Sequence, residues 1–155
     1  MVIQRWQSVL LIITVALMAC FTFLSLGQVN TTDYTYNFTC LGFAAEGEMT
    51  QNVPVVEQST WFLFIVSLMS TIIPFINIFL YKNLPLQKRV CLIEVMFIVV
   101  TIVLAAYEGY FAYPGTPVSW STLALAPFLA LITTIMSWRL INKDHKLLRS
   151  VDRIR

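Results

Sequence analysis

The sequence predicts an all-α integral membrane protein: a four-helix bundle with both termini in the cytoplasm (N-in, C-in) and a basic, amphipathic cytoplasmic helix at the C-terminus. Three observations lead to this prediction. Only 12% of the 155 residues are charged and 58% are hydrophobic, whereas a soluble domain has roughly 25% charged residues. Four long apolar runs divide the chain. All Lys and Arg residues fall in alternate segments between those runs.

Each apolar run is long enough to cross a bilayer, which takes about 20 helical residues. The runs are Val9–Leu26, Thr60–Tyr81, Val90–Tyr107 and Ser119–Trp138. A buried helix of a soluble protein would carry a polar stripe, which these runs lack. We therefore predict spans at residues 6–26, 60–81, 90–107 and 119–138, joined by segments 27–59, 82–89 and 108–118 and followed by a tail, 139–155.

Two prolines lie inside these runs, Pro74 in the second and Pro127 in the fourth. A proline in the interior of a soluble helix costs about 3 kcal/mol. Membrane helices tolerate it better, because neighbouring helices and Ser or Thr side chains help to satisfy the freed carbonyl group. We therefore expect local kinks at both prolines.

The distribution of basic residues sets the orientation. The ten Lys and Arg residues precede the first run, separate the second from the third, or follow the fourth: Arg5; Lys82, Lys88 and Arg89; Arg139, Lys143, Lys146, Arg149, Arg153 and Arg155. Segments 27–59 and 108–118 contain none and carry acidic residues. Basic residues accumulate on the cytoplasmic side of membrane proteins. Both termini and segment 82–89 are therefore predicted to be cytoplasmic.

The first run and the long outer segment 27–59 need separate interpretations. Arg5 followed by an apolar run is also typical of a signal peptide, but the run continues past Cys20, so we predict that it is not cleaved. In Thr32–Phe38 aromatic and polar residues alternate, which favours a short strand or hairpin. Cys40 is the single cysteine of the outer segment and therefore has no disulfide partner within it.

Glu94 is the one charge well inside an apolar run. An intramembrane carboxylate is by default a candidate proton or ion site. Glu94 lies one helical turn after Val90, which is only ~6 Å along the helix axis. Its side chain would then reach the cytoplasmic interface or pair with Lys88 or Arg89. The sequence leaves both interpretations open.

Small and weakly polar residues share one face in two of the runs: Ser67, Ser70, Pro74 and Asn77 in the second, and Ala126, Ala130, Thr133 and Ser137 in the fourth. At this spacing they let membrane helices pack closely and form hydrogen bonds. The structural interpretation is a helix–helix seam, and the functional one is a substrate groove. In the third run Glu94 and Thr101 share a face, but Ile98 interrupts a polar path across the membrane.

The tail 139–155 has the pattern of a basic, amphipathic helix. Such a helix would bind anionic lipid with about 1 kcal/mol per basic residue. Asp144 and Asp152, placed among the bases, favour a specific docking surface instead. Both interpretations stay open. The candidate partner- or lipid-binding residues are Arg5, Lys82, Lys88, Arg89, Lys143, Asp144, Arg149, Asp152, Arg153 and Arg155.

The sequence carries no recognisable catalytic or cofactor motif, such as HExxH, GxSxG, a Gly-rich phosphate loop or a Cys/His pair. His145 is the single histidine, and the three cysteines are dispersed, which argues against a metal site. We therefore predict that the protein is not an enzyme, binds no cofactor or metal and does not bind nucleic acid.

Three segments resemble the DUF4293 family, small four-span membrane proteins of Bacteroidota with no assigned function. Val2–Ser8 (VIQRWQS) is similar to the family's opening IQRxQ, and Tyr81–Arg89 (YKNLPLQKR) to its basic loop. Lys143–Arg155 (KDHKLLRSVDRIR) resembles its closing KDExLVRSxDRxR, with His145 in place of Glu and Leu148 in place of Val. The resemblance implies a bacterial inner membrane and assigns no catalytic residue.

These observations predict a non-enzymatic accessory or assembly subunit that works through contacts on its cytoplasmic face. Its expected partners are membrane lipid and another membrane or cytoplasmic protein, or a second copy of the chain. The alternative prediction is a small transporter or ligand-binding membrane protein that uses Glu94 and the polar helix faces.

Overall fold

The structure is a computed structural model that describes residues 2–30, 35–46, 56–111 and 115–152; the side chains of 2–5, 45–46, 56–58, 82 and 148–152 are not included. Its helices are α1 (Val2–Phe23), α2 (Trp61–Phe79), α3 (Leu84–Phe111) and α4 (Ala126–Asp152), with short 3-10 turns at Leu80–Lys82 and Thr122–Leu125. Its strands are β1 (Gly27–Asn30), β2 (Thr35–Thr39), β3 (Gly42–Glu46), β4 (Val56–Ser59) and β5 (Val118–Trp120).

The four helices pack as a bundle in which α1 and α3 each contact both α2 and α4. The buried positions of α3 recur every three or four residues: Leu84, Gln87, Cys91, Glu94, Ile98, Thr101, Ala105 and Gly109. A repeat of this kind, near 3.5 residues, is typical of helices that interlock their side chains in a left-handed bundle. The prediction of four long apolar helices is confirmed within the described ranges. The predicted all-α class is too narrow, because the structure also contains a five-stranded sheet.

The bundle has an apolar surface and a partly polar interior. Large apolar side chains such as Ile12, Phe62 and Met96 are exposed on the helices, whereas Thr14 and Ser67 are fully buried. A soluble protein rarely exposes so much contiguous apolar surface. In a membrane the lipid tails cover that surface, and interhelical polar contacts help to hold the helices together.

A five-stranded antiparallel sheet, in the order β4-β3-β2-β1-β5, covers one end of the bundle. Alternate residues of β2 are buried, so that Phe38 faces the helices. The Phe38 ring stacks on Phe43, with 4.5 Å between centroids, and meets the edge of Trp120 at 6.0 Å. These rings pack on the ends of α1 and α2 at Phe21 and Leu63. We call this the sheet end of the bundle.

The opposite end, called the terminal end, carries the start of α1, the Leu80–Lys82 turn and the end of α4. Its apolar contacts join all four helices, because Leu11, Ile78, Leu84 and Ile141 pack together with Cys91 and Trp138. Between the two apolar clusters the interior contains hydroxyl, amide and carboxyl groups.

The helix boundaries differ from the predicted spans most clearly at the starts of the third and fourth helices. The third helix begins at Leu84, so most of the predicted segment 82–89 is helical. The fourth helix begins at Ala126, because the preceding residues form β5 and a 3-10 turn. The prediction of a kink at Pro127 is therefore wrong: Pro127 lies in the first helical turn, where its missing N–H breaks no hydrogen bond. Pro74 lies inside α2 as predicted.

The outer segment contains more structure than its alternating pattern indicated. Residues 35–38 of the predicted strand lie in β2, whereas residues 32–34 lie outside the described residues. The same sheet also contains β1, β3 and β4. At the other end of the chain, α4 continues without a break to Asp152. Residues 139–152 thus prolong the fourth helix instead of forming a separate one.

Candidate functional site

The side chain of Glu94 lies in the bundle interior with no exposed surface. Thr134, on α4, donates a hydrogen bond to Glu94 Oε1 at 2.7 Å. The second carboxyl oxygen, Oε2, has no hydrogen-bond partner among the described residues. An uncompensated buried carboxylate is costly, so the unpaired oxygen makes Glu94 a candidate functional residue of the interior.

Amide groups from α2 and α3 lie beside the Glu94 carboxyl group. Asn77 Nδ2 donates to Cys91 Sγ at 3.1 Å, and Asn77 also faces the carboxyl group itself. Gln87 Nε2 donates to the main-chain oxygen of Asn77 at 3.4 Å. Their amide oxygens, Asn77 Oδ1 and Gln87 Oε1, have no partner within the described part of the chain. Both side chains are almost completely buried.

The α4 side of this site presents Ser137 and Trp138, which follow Thr134 by about one turn. Ser137 Oγ and Trp138 Nε1 are buried and unpartnered among the described residues. The set of Asn77, Gln87, Cys91, Glu94, Thr134 and Ser137 is called the polar site below. It brings three helices together around a single carboxyl group.

Sequence reasoning left open whether Glu94 reaches the cytoplasmic interface. Because α3 begins at Leu84, Glu94 lies about 15 Å along that helix at ~1.5 Å per residue. The ammonium group of Lys88 donates to Asn142 Oδ1 at 2.8 Å and lies 5.4 Å from the centre of the Trp138 ring. The Glu94 side chain therefore lies in the interior, hydrogen-bonded to Thr134. It does not pair with Lys88, whose ammonium group interacts with α4.

The predicted partner- or lipid-binding residues divide into two groups. Arg89 and Lys143 are exposed at the terminal end, where a partner or lipid can reach them. Asp144 is only 9% exposed and accepts a hydrogen bond from Gln7 of α1. It joins α4 to α1 inside the bundle, which leaves one oxygen, Oδ1, without a partner among the described residues.

The remaining members of that predicted set lie outside the described residues or have side chains outside them: Arg5, Lys82, Arg149, Asp152, Arg153 and Arg155. The alternation of exposed and buried positions along 141–147 places Lys146 on the same exposed side as Lys143.

Elsewhere in the bundle interior, hydroxyl groups pair with one another across the helices. Thr22 and Ser67 lie 2.6 Å apart, Ser70 and Thr101 lie 3.0 Å apart, and Thr14 Oγ1 is 2.7 Å from Thr133 Oγ1. These contacts show that the small polar faces of α2 and α4 form helix–helix seams there.

Several polar residues of the bundle interior were not predicted from the sequence, among them Gln7, Gln87 and Thr134. Gln87 was assigned to a loop, because the apolar run that predicted the third span begins only at Val90. The signal that indicates it is its spacing, since Gln87 precedes Glu94 by two helical turns and shares its buried face. No group of three or more His, Cys, Asp or Glu residues in the described ranges is arranged to hold a metal ion.

Four long helices with apolar outer faces and inward-facing polar groups define a multi-pass helical membrane protein. Within that class, the chain belongs to the DUF4293 family, described as a domain of unknown function, whose family model matches residues 3–154. The resemblance found in the sequence is thereby confirmed. None of the curated proteins matches the chain.

Proposed function

We propose that this chain is a multi-pass protein of the bacterial inner membrane with both termini in the cytoplasm. All ten Lys and Arg residues lie in the first turns of α1, in the turn that follows α2, in the first turns of α3, or between the middle of α4 and the end of the chain. The segments at the sheet end contain none. The positive-inside rule therefore makes the terminal end cytoplasmic and leaves the sheet on the outer side of the membrane.

We further propose a non-enzymatic accessory role, in which the cytoplasmic face contacts an acidic surface of a membrane or cytoplasmic protein. The observation that carries this proposal is that Arg89, Lys143 and Lys146 project from the ends of α3 and α4 as exposed basic side chains. The hydroxyl pairs between the helices support it indirectly, because helix–helix seams occupy the polar faces that a transport path would need.

The test is purification of the tagged full-length protein from its native membrane in mild detergent, followed by mass spectrometry of co-eluting proteins. A stoichiometric partner is expected. Combined Arg89→Ala, Lys143→Ala and Lys146→Ala changes should remove it.

The matched control variant is Arg89→Lys, Lys143→Arg and Lys146→Arg, which keeps the charge and should keep the partner. A partner that persists in the alanine variant would place the interface elsewhere. A chain that elutes alone under every mild condition would contradict the accessory role.

A second candidate function is ligand binding, or transport, at the polar site. The observation in its favour is the fully buried Glu94 carboxyl group with an unpartnered oxygen, since intramembrane carboxylates commonly mark ion or substrate sites. A Glu94→Gln strain should then have the phenotype of a deletion strain. Glu108→Gln is the matched control, because Glu108 lies on the same helix near the sheet end. A Glu94→Gln strain that behaves as wild type would rule this candidate out.

A further inference from the structure

The polar site contains four buried oxygen atoms that have no hydrogen-bond partner in the described structure. Glu94 Oε2, Asn77 Oδ1, Gln87 Oε1 and Ser137 Oγ have no partner among the described residues. Their side chains are at most 1% exposed and come from α2, α3 and α4. Buried polar atoms in native proteins are nearly always paired, so the concentration of unpaired oxygens in one part of the bundle needs an explanation.

Hydrogen bonds connect these side chains into one group. The Gln87 amide reaches the main chain of Asn77, and the Asn77 amide reaches Cys91, one turn from Glu94 on α3. Thr134, one turn from Ser137 on α4, holds Oε1 of Glu94. The unpaired oxygens therefore belong to neighbouring side chains in one section of the interior.

The donors beside these oxygens do not pair with them in the structure. Asn77 and Gln87 each donate one amide N–H elsewhere and keep a second one. Ser137 has its hydroxyl hydrogen, and Trp138 has an unpartnered indole N–H. Among the described residues, none of these donors forms a hydrogen bond with any of the four oxygens. A proton on Glu94 would supply one further donor. A cation bound among the oxygens would satisfy several of them at once.

The composition of the site determines which cation fits. Oxygen ligands suit hard cations, and the sulfur of Cys91 already accepts the Asn77 amide. The site contains one carboxylate, which balances a single positive charge, whereas a divalent ion would leave a net charge buried at high cost. The fully buried surroundings require an ion small enough to enter without its water shell.

We propose that Glu94, Asn77, Gln87 and Ser137 form a binding site for one desolvated alkali-metal cation. The proposal rests on the second candidate function, ligand binding at the polar site, and is independent of the accessory role. The carboxylate provides the charge, and the amide and hydroxyl oxygens of three helices complete the coordination. Binding would therefore clamp α2, α3 and α4 together at the cytoplasmic end.

The experiment measures thermal unfolding of the full-length protein in lipid nanodiscs, with sodium or potassium chloride replacing choline chloride at constant ionic strength. Binding should raise Tm saturably, by roughly 5–10 °C when the ion exceeds its Kd about 100-fold. Glu94→Gln should abolish the shift and Ser137→Ala should reduce it, whereas Glu108→Gln should retain it. Equal Tm in all salts would overturn the proposal, as would stabilisation by calcium chloride alone.

If the Glu94→Gln variant does not fold, direct binding of radioactive sodium to the wild-type protein tests the cation site instead. One displaceable ion per chain is expected, and no displaceable binding of sodium or of a radioactive potassium analogue would overturn the proposal. The experiments distinguish a wrong ligand class from a wrong candidate function. A Glu94→Gln strain that loses function, while the wild-type protein ignores alkali cations, would overturn the cation and leave ligand binding at this site standing.

Discussion

The two halves of the bundle differ in how they accommodate buried polar side chains. In the half next to the sheet, the hydroxyl groups of Thr22 and Ser67 and those of Ser70 and Thr101 pair across the helices. In the terminal half, buried polar atoms of six described residues have no partner: Asn77, Gln87, Glu94, Ser137, Trp138 and Asp144. The two halves therefore differ in how far their interior polar groups are paired.

This contrast suggests different roles for the two halves: paired groups stabilise the fold, and unpaired groups are available to a ligand. Paired hydroxyls and stacked rings fix one arrangement of the helices and have no capacity left for a ligand. Unpaired buried groups destabilise the protein, by about 1–3 kcal/mol each, and natural proteins retain such groups mainly at functional sites. We therefore expect the sheet half to be the more rigid part of the molecule, and the terminal half to be the part that binds a ligand.

The largest effect on stability is expected for Phe38→Ala in the sheet half. Phe38 is fully buried between Phe43 and Trp120, and loss of a buried phenylalanine ring costs about 3–5 kcal/mol. Unfolding in detergent measures the change. The control is Leu41→Ala in the adjacent turn, where the side chain is 45% exposed and the cost should stay within about 0.5 kcal/mol. Equal losses in the two variants would mean that the sheet does not contribute to the stable core.

The reactivity of the Cys40 thiol measures whether the sheet stays packed on the helices. Its thiol is fully buried and donates to the main-chain oxygen of Phe21 at 3.4 Å; burial raises its pKa from 9.0 to about 11. Only the thiolate reacts, so at pH 8 a maleimide should label it about 100-fold more slowly than an ordinary thiol, by thiolate fraction alone. The rate should rise roughly tenfold per pH unit up to the raised pKa.

This labelling is measured in a variant with Cys20→Ser and Cys91→Ser, so that Cys40 is the one reactive group. The same variant unfolded in SDS provides the reference rate. Rapid labelling of the folded protein at pH 8 would mean that the sheet opens and that the sheet half is not the rigid part.

Hydrophobic patterning predicts the four helices, because a membrane-spanning helix is recognisable from its own run of apolar residues. It does not predict features that depend on contacts between segments distant in sequence. The strand β5 pairs with β1 from Gly27 opposite Trp120 to Val29 opposite Val118. The residues of β5 lie at the start of the fourth apolar run and are mostly apolar themselves. Their local sequence therefore does not distinguish a strand from the start of a helix. The sequence predicts the polar site only in part. Asn77 and Glu94 stand out in two separate apolar runs, but only the packing of three helices shows that their side chains are neighbours with unpaired oxygens.

A smaller effect is expected from the paired hydroxyls of the sheet half. Thr22 Oγ1 and Ser67 Oγ lie 2.6 Å apart in the interior, but such interhelical hydrogen bonds contribute only about 0.6 kcal/mol on average. A double-mutant cycle with Thr22→Val and Ser67→Ala measures the coupling energy. The exposed pair Phe75 and Phe79, changed to Leu, gives a reference for coupling within the bundle surface. Coupling between Thr22 and Ser67 that is indistinguishable from zero would remove the hydroxyl pairs from the account of rigidity.

The smallest effect on stability is expected for Glu94→Gln, although it removes the one charge deep in α3. The amide keeps an oxygen that accepts from Thr134, as Glu94 Oε1 does at 2.7 Å, and it relieves the desolvation of a carboxyl group. In sodium- and potassium-free buffer the free energy of unfolding should therefore stay the same or rise. Thr134→Val is the contrasting change, because it removes the hydrogen bond to Glu94 Oε1 and should lower stability by about 1–3 kcal/mol. If Glu94→Gln instead lost as much stability as Thr134→Val, the carboxyl group would be part of the structural framework, and the distinction between the two halves of the bundle would fail.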